Sequence, residues 1–202
     1  MIILLIRHGQ SEADLLDVHE GRADFELTQK GIEQAEKMSE WVSNNYKIQK
    51  IYASTLKRAK KTADILAAKT GVQAEYRDEL KEFNNGLLAG LNRKEAEEKY
   101  PEDVQLPMHR ANYEMESKLE FRYRAEKFMS ELLHDNDKEA VIAAVSHGGM
   151  INQLINAFAK TPAESDMVFC SGDTGIHILK YDEAGKGAAR KIVRINSLEH
   201  LL

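Results

Sequence analysis

Arg7-His8-Gly9 and Ser146-His147-Gly148-Gly149 are two places where this sequence sets an imidazole beside glycine directly after an apolar run. A neutral imidazole is a nucleophile or base near neutral pH, and a protonated one is a donor. Glycine lets a ligand approach the backbone closely, or supplies a turn with positive φ. One histidine in such a place is more often a hydrogen-bonded packing residue. Two at equivalent positions are harder to assign to packing. With Arg7 beside them they would form a positive pocket suited to a phosphate group.

Both motifs need elements to carry them. Residues 2–6 are apolar on both faces, as in an internal strand of a covered parallel sheet. A helix is predicted from Thr28, which can cap it, with Ile32, Ala35, Met38, Trp41 and Val42 at helical spacing. Further strands are predicted over 48–53, 72–76 and 139–145, and helices over 56–68, 92–100, 116–133 and from Gly149 to Phe158. In the helix at 116–133, Leu119, Tyr123, Phe128 and Leu132 fall on or near one face. Residues 101–115 hold two of the three prolines and read as a loop or cap. The tail from Met167 to Ile195 alternates apolar and polar residues, which predicts two or three strands. Strands alternating with helices imply an α/β fold of three layers, α/β/α, around a mostly parallel central sheet. Sites in such folds lie at the carboxyl ends of strands, where both histidine motifs fall.

A chain of 202 residues fits one domain with room for a small insertion. Charged residues make up 30% and the net charge is −5, with both signs mixed along the chain. No basic stripe of the kind that binds nucleic acid is present. An anionic substrate must therefore be drawn by a local positive cluster. The single cysteine, Cys170, cannot form an internal disulfide. It reads as a buried structural residue, and a cytoplasmic setting is the default. The first apolar run is too short for a secretion signal or a membrane helix, so no membrane partner is expected.

Five segments, in order, resemble the histidine phosphatase superfamily, the phosphoglycerate mutase-like family. They are Leu5-Ile6-Arg7-His8-Gly9-Gln10-Ser11-Glu12; Gly21-Arg22-Ala23-Asp24 with Leu27-Thr28 and Gly31; Ser54-Thr55-Leu56-Lys57-Arg58-Ala59 with Thr62-Ala63; Leu80-Lys81-Glu82 with Gly86 and Gly90; and Val145-Ser146-His147-Gly148-Gly149. The resemblance runs from residue 2 to the end. It implies a single domain over 1–202 with a cap at about 84–117 that sets specificity.

It also implies a phosphohistidine intermediate on His8, with the second ring nitrogen held by a backbone carbonyl. Arg7 and Arg58 would bind phosphate oxygens, which a dianionic monoester requires. His147 would donate to the phosphoryl group in the transition state. Glu82 would protonate the leaving alcohol and then activate water. Glu79 competes for that role, but the spacing to Gly86 and Gly90 favours Glu82. Gln10, Asp14, Gly21 and Gly148 are candidate substrate contacts. Lys57, Lys60 and Lys61 read as solvated surface. In the cap, Arg93, His109 and Arg110 are candidates for a second acidic group, and Tyr100, Met108, Tyr113 and Met115 for an organic pocket. No cofactor or metal is called for, because arginine and histidine supply the positive charge.

The sequence departs from the family pattern at Asp14 and in the segment after Glu82, where Leu88-Ala89 also stands in place of an aromatic-acid pair before the second glycine. Asp14 stands where many members have Asn, and an ionised Asp repels a dianion unless protonated or turned away. Phe83-Asn84-Asn85 follows Glu82 where the mutases have Arg-His-Tyr. The second departure removes a basic ligand for a bisphosphate and favours the phosphatase branch. The expected activity is hydrolysis of a small phosphorylated metabolite. A phosphoglycerate mutase and a catalytically inactive phospho-ligand-binding module are the alternatives. A homodimer is compatible with the sequence.

Overall fold

The computed structural model describes residues 1–184 and 187–202. In chain order the elements are β1 (Ile2–Arg7), α1 (Glu12–Leu16), α2 (Gln29–Asn45), β2 (Lys50–Ser54), α3 (Lys57–Thr70), β3 (Ala74–Arg77), α4 (Arg93–Lys99), α5 (Lys118–Asp135), β4 (Val141–Ser146), α6 (Gly148–Ala159), β5 (Ile176–Ala184) and β6 (Gly187–Ser197), with short 3-10 turns between some of them. The sheet order is β3-β2-β4-β1-β5-β6. The pairs β3-β2, β2-β4 and β4-β1 are parallel, whereas β1-β5 and β5-β6 are antiparallel. The fold is thus α/β around a mixed, mostly parallel sheet. The alternating tail expected to hold two or three strands holds β5 and β6, joined through residues 185 and 186, which lie outside the described residues.

The three layers follow from the two-residue period of a strand, which sends successive side chains to opposite faces. On β1, Ile3 and Leu5 pack with Phe128, Leu132, Leu154 and Phe158 of α5 and α6. Leu4 and Ile6 pack the other way, with Met38, Val42, Ala63 and Leu66 of α2 and α3. A strand covered on both faces must be apolar throughout, and β1 is. Thr28 caps α2 by accepting from the Gly31 N–H at 2.9 Å. Ser117 and Glu120 form a reciprocal cap at the start of α5.

Two expectations need correction. The buried face of α5 is Phe121, Ala125, Phe128, Met129 and Leu132, while Leu119 and Tyr123 are exposed. Phe128 and Leu132 belong to the expected face; the two upstream residues lie a helical step off it. Cys170 is exposed rather than buried. It sits in the irregular segment between α6 and β5, beside Phe169, which is the residue that packs on the core there.

Residues 84–116 leave the sheet and return to it. The excursion is closed at its base where the Glu116 N–H donates to the Asn84 carbonyl at 2.9 Å and the Asn84 N–H donates to Glu116 Oε1 at 2.6 Å.

Candidate active site

Strand register brings the two histidine motifs together. Arg7 lies opposite Ser146 across β1 and β4, and Ala53 of β2 lies opposite Val145 on the other side of β4. The three strands end level, so His8, Ser54 and His147 emerge side by side. The His8 N–H donates to the Ser146 carbonyl at 3.0 Å. The two rings stand edge to face with centroids 5.0 Å apart, and each residue is only 1% exposed.

The tautomer of His8 follows from its partners. Its Nδ1 lies 2.7 Å from the Gly9 carbonyl oxygen. A carbonyl only accepts, so Nδ1 carries the proton and Nε2 holds the lone pair. Arg58 Nε donates to that lone pair at 3.2 Å. Burial, then the charges of Arg58 and Arg7, hold the His8 pKa well below its ordinary 6.5. The ring is therefore neutral at neutral pH, the form a nucleophilic imidazole needs.

For His147 the argument runs through Ser54. The Ser54 Oγ accepts from the Leu56 N–H at 3.3 Å and lies 2.8 Å from His147 Nε2. Where the Ser54 hydroxyl donates to Nε2, the hydrogen lies on Nδ1. That nitrogen is buried and has no partner, and the Nε of Arg7 is a second buried donor without one. Buried donors are nearly always paired, so two orphans in adjoining residues of one pocket suit an anion rich in acceptor oxygens. Burial, with the charges of Arg58, His8 and Arg7, lowers the His147 pKa well below 6.5.

The arginines are fixed before any ligand arrives. Arg58 is fully buried, with Nη1 donating to the Ala23 carbonyl at 2.9 Å and Nη2 to the Gly21 carbonyl at 2.8 Å. Arg7 donates from Nη1 to the Ser171 carbonyl at 2.7 Å and pairs through Nη2 with Asp173 at 3.5 Å and Asp14 at 3.7 Å.

Glu82 sits at the edge of this cluster. Its Oε2 accepts from the Gly149 N–H at 2.8 Å and its Oε1 from the Phe83 N–H at 2.8 Å. A Cβ on Gly149 would fall 2.6 Å from Glu82 Oε1, so glycine is required there for close approach. Arg124 of α5 holds the segment, donating to the carbonyls of Glu79 at 2.7 Å, Lys81 at 3.0 Å and Glu82 at 3.3 Å. Glu79 is engaged elsewhere: it pairs with Arg77 at 3.3 Å and Lys127 at 2.9 Å. Those contacts push its pKa down to about 2, Arg77 foremost. Of the two rivals, that leaves Glu82 as the one beside the start of α6.

The other sequence candidates are placed as follows. Gly21 has φ +46°, and a Cβ there would meet Asn85 Oδ1 at 1.8 Å, so its glycine serves the Arg58 carbonyl turn. Gln10 accepts from Thr28 Oγ1 at 3.0 Å. Asp14 accepts from the Ser11 N–H at 2.8 Å and is not turned away from Arg7. Gly148 opens α6, and a Cβ there would meet nothing within 4 Å. A cavity of about 380 Å³ in the cap is lined by Tyr100, Tyr113, Met115 and Arg110 together with Phe83 and Leu88. Met108 and His109 are outside that lining, and Arg93 pairs with Asp17 at 3.0 Å.

Sequence reading missed Glu20. Its carboxylate lies 3.1 Å from Arg58 Nε and 3.7 Å from His8 Nε2, and it accepts from Ser11 Oγ at 2.5 Å. The only signal for it was its place beside Gly21. Among the described residues, no group of three or more His, Cys, Asp or Glu is set to hold a metal ion, and no helix is long and apolar enough to cross a membrane.

Comparison with known proteins places the family and the fold. The model of the histidine phosphatase superfamily (branch 1) matches residues 3–194. The chain is 33% identical to phosphoglycerate mutase-like protein 4 of Arabidopsis thaliana, over 75% of this chain and 68% of that protein. It is 28% identical to phosphoserine phosphatase 1 of Hydrogenobacter thermophilus, over 72% of this chain and 70% of that protein. The alpha-ribazole phosphatase of Shigella flexneri superposes with a TM-score of 0.83 at 26% identity, covering 98% of this chain and 97% of that one.

Proposed function

The chain belongs to the histidine phosphatase superfamily, branch 1, and from that premise we propose that it is a phosphomonoesterase acting on a small phosphorylated metabolite. His8 Nε2 attacks phosphorus in line with the leaving oxygen, and the phosphoryl group moves to the ring. His147 Nδ1–H, Arg58 and Arg7 offset the charge on the phosphoryl oxygens, which is where most of the rate enhancement arises in such transfers. Glu82 gives a proton to the departing alcohol. It then takes one from the water that attacks the phosphohistidine, which returns His8 to its neutral form.

One observation carries this reading. The Gly9 carbonyl fixes the proton on His8 Nδ1, so the lone pair of Nε2 faces a guanidinium and a second imidazole in a buried pocket. A packing histidine has no need of a lone pair directed at a guanidinium in a buried pocket shared with a second imidazole.

Phosphatase stands ahead of mutase because Phe83, Asn84 and Asn85 follow Glu82 and offer no cation. The alcohol portion of the substrate would enter the cap cavity beside Tyr100 and Tyr113.

The test is hydrolysis of an aryl phosphate by the native enzyme and by His8→Ala. The variant should lose at least about 10³-fold in kcat, because the nucleophile is gone. Turnover within tenfold of native would end the proposal.

A further inference from the structure

Glu20 is an acid where an acid should be unwelcome. Its carboxylate lies against the nitrogen that would receive the phosphoryl group, 3.7 Å from His8 Nε2. A phosphoryl group on that nitrogen would set its oxygens within hydrogen-bonding distance of Glu20. Two anions in such contact cannot both stay ionised, as with paired carboxylates that share a site. Either the side chain leaves or it takes up a proton.

The surroundings favour the proton. Ser11 Oγ holds Glu20 Oε1 at 2.5 Å, and the same hydroxyl lies 3.1 Å from Asp14 Oδ2. The groups facing Glu20 are His8 and Arg7 at the end of β1, Ser11 before α1 with Asp14 inside it, and Arg58 of α3. In the free site Arg58 is the counterion, at 3.1 Å through Nε. An arriving dianion claims that same N–H, so Glu20 loses its charge partner as it gains a negative neighbour. Burial already raises the Glu20 pKa, opposed by Arg58. Asp14, a second carboxylate beside the same serine, adds to the repulsion.

We propose that Glu20 binds the phosphoryl group as a neutral carboxylic acid, taking one proton from solvent as the anion enters and donating it to a phosphoryl oxygen. This rests on His8 being the phosphoryl acceptor. It makes Glu20 a further residue of the phosphate site and couples anion affinity to pH.

Sulfate is the probe, because its charge does not change between about pH 5 and 8.5, so any pH dependence belongs to the protein. Calorimetric titration in two buffers of different ionisation enthalpy gives both affinity and protons taken up. His147 can also gain a proton beside an anion. That uptake persists in Glu20→Gln, so the difference between the two proteins is the share of Glu20.

The native protein should weaken toward sulfate by up to about tenfold per pH unit at alkaline pH, and should take up close to one proton more than Glu20→Gln. Glu20→Gln should bind sulfate more tightly than native at about pH 8, with a flatter profile. Equal proton uptake in the two proteins, or equal pH slopes, would overturn the proposal. Melting curves establish that the variant is folded, and Glu20→Ala serves the same comparison if Gln is not tolerated. Sulfate binding needs no turnover. Hydrolysis by His8→Ala would therefore sink the catalytic reading without touching this measurement.

Discussion

Glu82 and His8 sit in different environments, and the proposed division into acid and nucleophile follows from them. His8 is buried beside two guanidinium groups, which keeps its ring neutral and nucleophilic. Glu82 accepts two backbone N–H groups at 2.8 Å, one of them from Gly149 at the start of α6, and so is held in one orientation. Glu82→Gln keeps the shape and removes the acid. It is expected to lower kcat by about 10² to 10⁴-fold, and to lower the melting temperature by a few degrees because one of the two backbone N–H groups loses its acceptor. Single-turnover kinetics check this, because an alcohol leaving without a proton slows the first step itself. At this scale the sequence was legible where a residue sat in a motif: His8, Arg58 and His147 converge as expected. Glu20 and Ser54 act through distances that no local spacing encodes. Ser54 meets the His147 ring from a different strand, and Glu20 reaches Arg58 only because loop and helix fold together.

Elements position these groups through backbone contacts as much as side chains. The loop after β1 crosses the first turn of α2 at glycine on glycine. A Cβ on Gly31 would fall 2.1 Å from the Gln10 carbonyl oxygen, and one on Gly9 would fall 2.3 Å from that of Gly31. Gly31→Ala should therefore push the loop away from α2. The expected cost is about 1 to 3 kcal/mol, or roughly 2 to 4 °C per kcal/mol in a chain of this size. Because Gly9 holds the His8 ring, kcat should fall as well, and thermal melts with steady-state assays on one preparation would show both. Periodicity predicted the long helices and the inner strands, which bury a face, and alternation predicted the largely exposed β6. It missed α1, which is five residues long and leaves Leu15 and Leu16 exposed at 67% and 57%. Nor did alternation in the tail tell direction: β5 and β6 read as strands, but alternation is the same for parallel and antiparallel pairing, and both β1-β5 and β5-β6 are antiparallel.

Across the whole molecule, the buried histidines tie stability to pH. His177 is enclosed by β5, with Nδ1 accepting from the Asn196 N–H at 3.3 Å and Nε2 placed 2.7 Å from Ser171 Oγ. Burial lowers its pKa from 6.5 to about 4. Between those values the unfolded chain binds the proton more readily than the folded one. Its contribution is thus complete above pH 6.5 and is lost as pH falls toward 4. His8 and His147 act in the same direction. Melting temperature should fall across that window, and His177→Gln should show a shallower fall. An unchanged profile in the variant would assign the acid sensitivity to other groups. The mixed charge of the surface, net −5, means that the pocket's cations alone must attract a phosphate.

The central claim is that a phosphoryl group rests on His8 during turnover. The direct measurement is rapid quenching of the native enzyme with a radiolabelled phosphomonoester, followed by mapping of the labelled peptide. The account predicts label that is lost in acid, survives alkali, and maps to His8, with none on His8→Ala. Label on another residue, or steady hydrolysis with no labelled enzyme at any quench time even in Glu82→Gln, would contradict it.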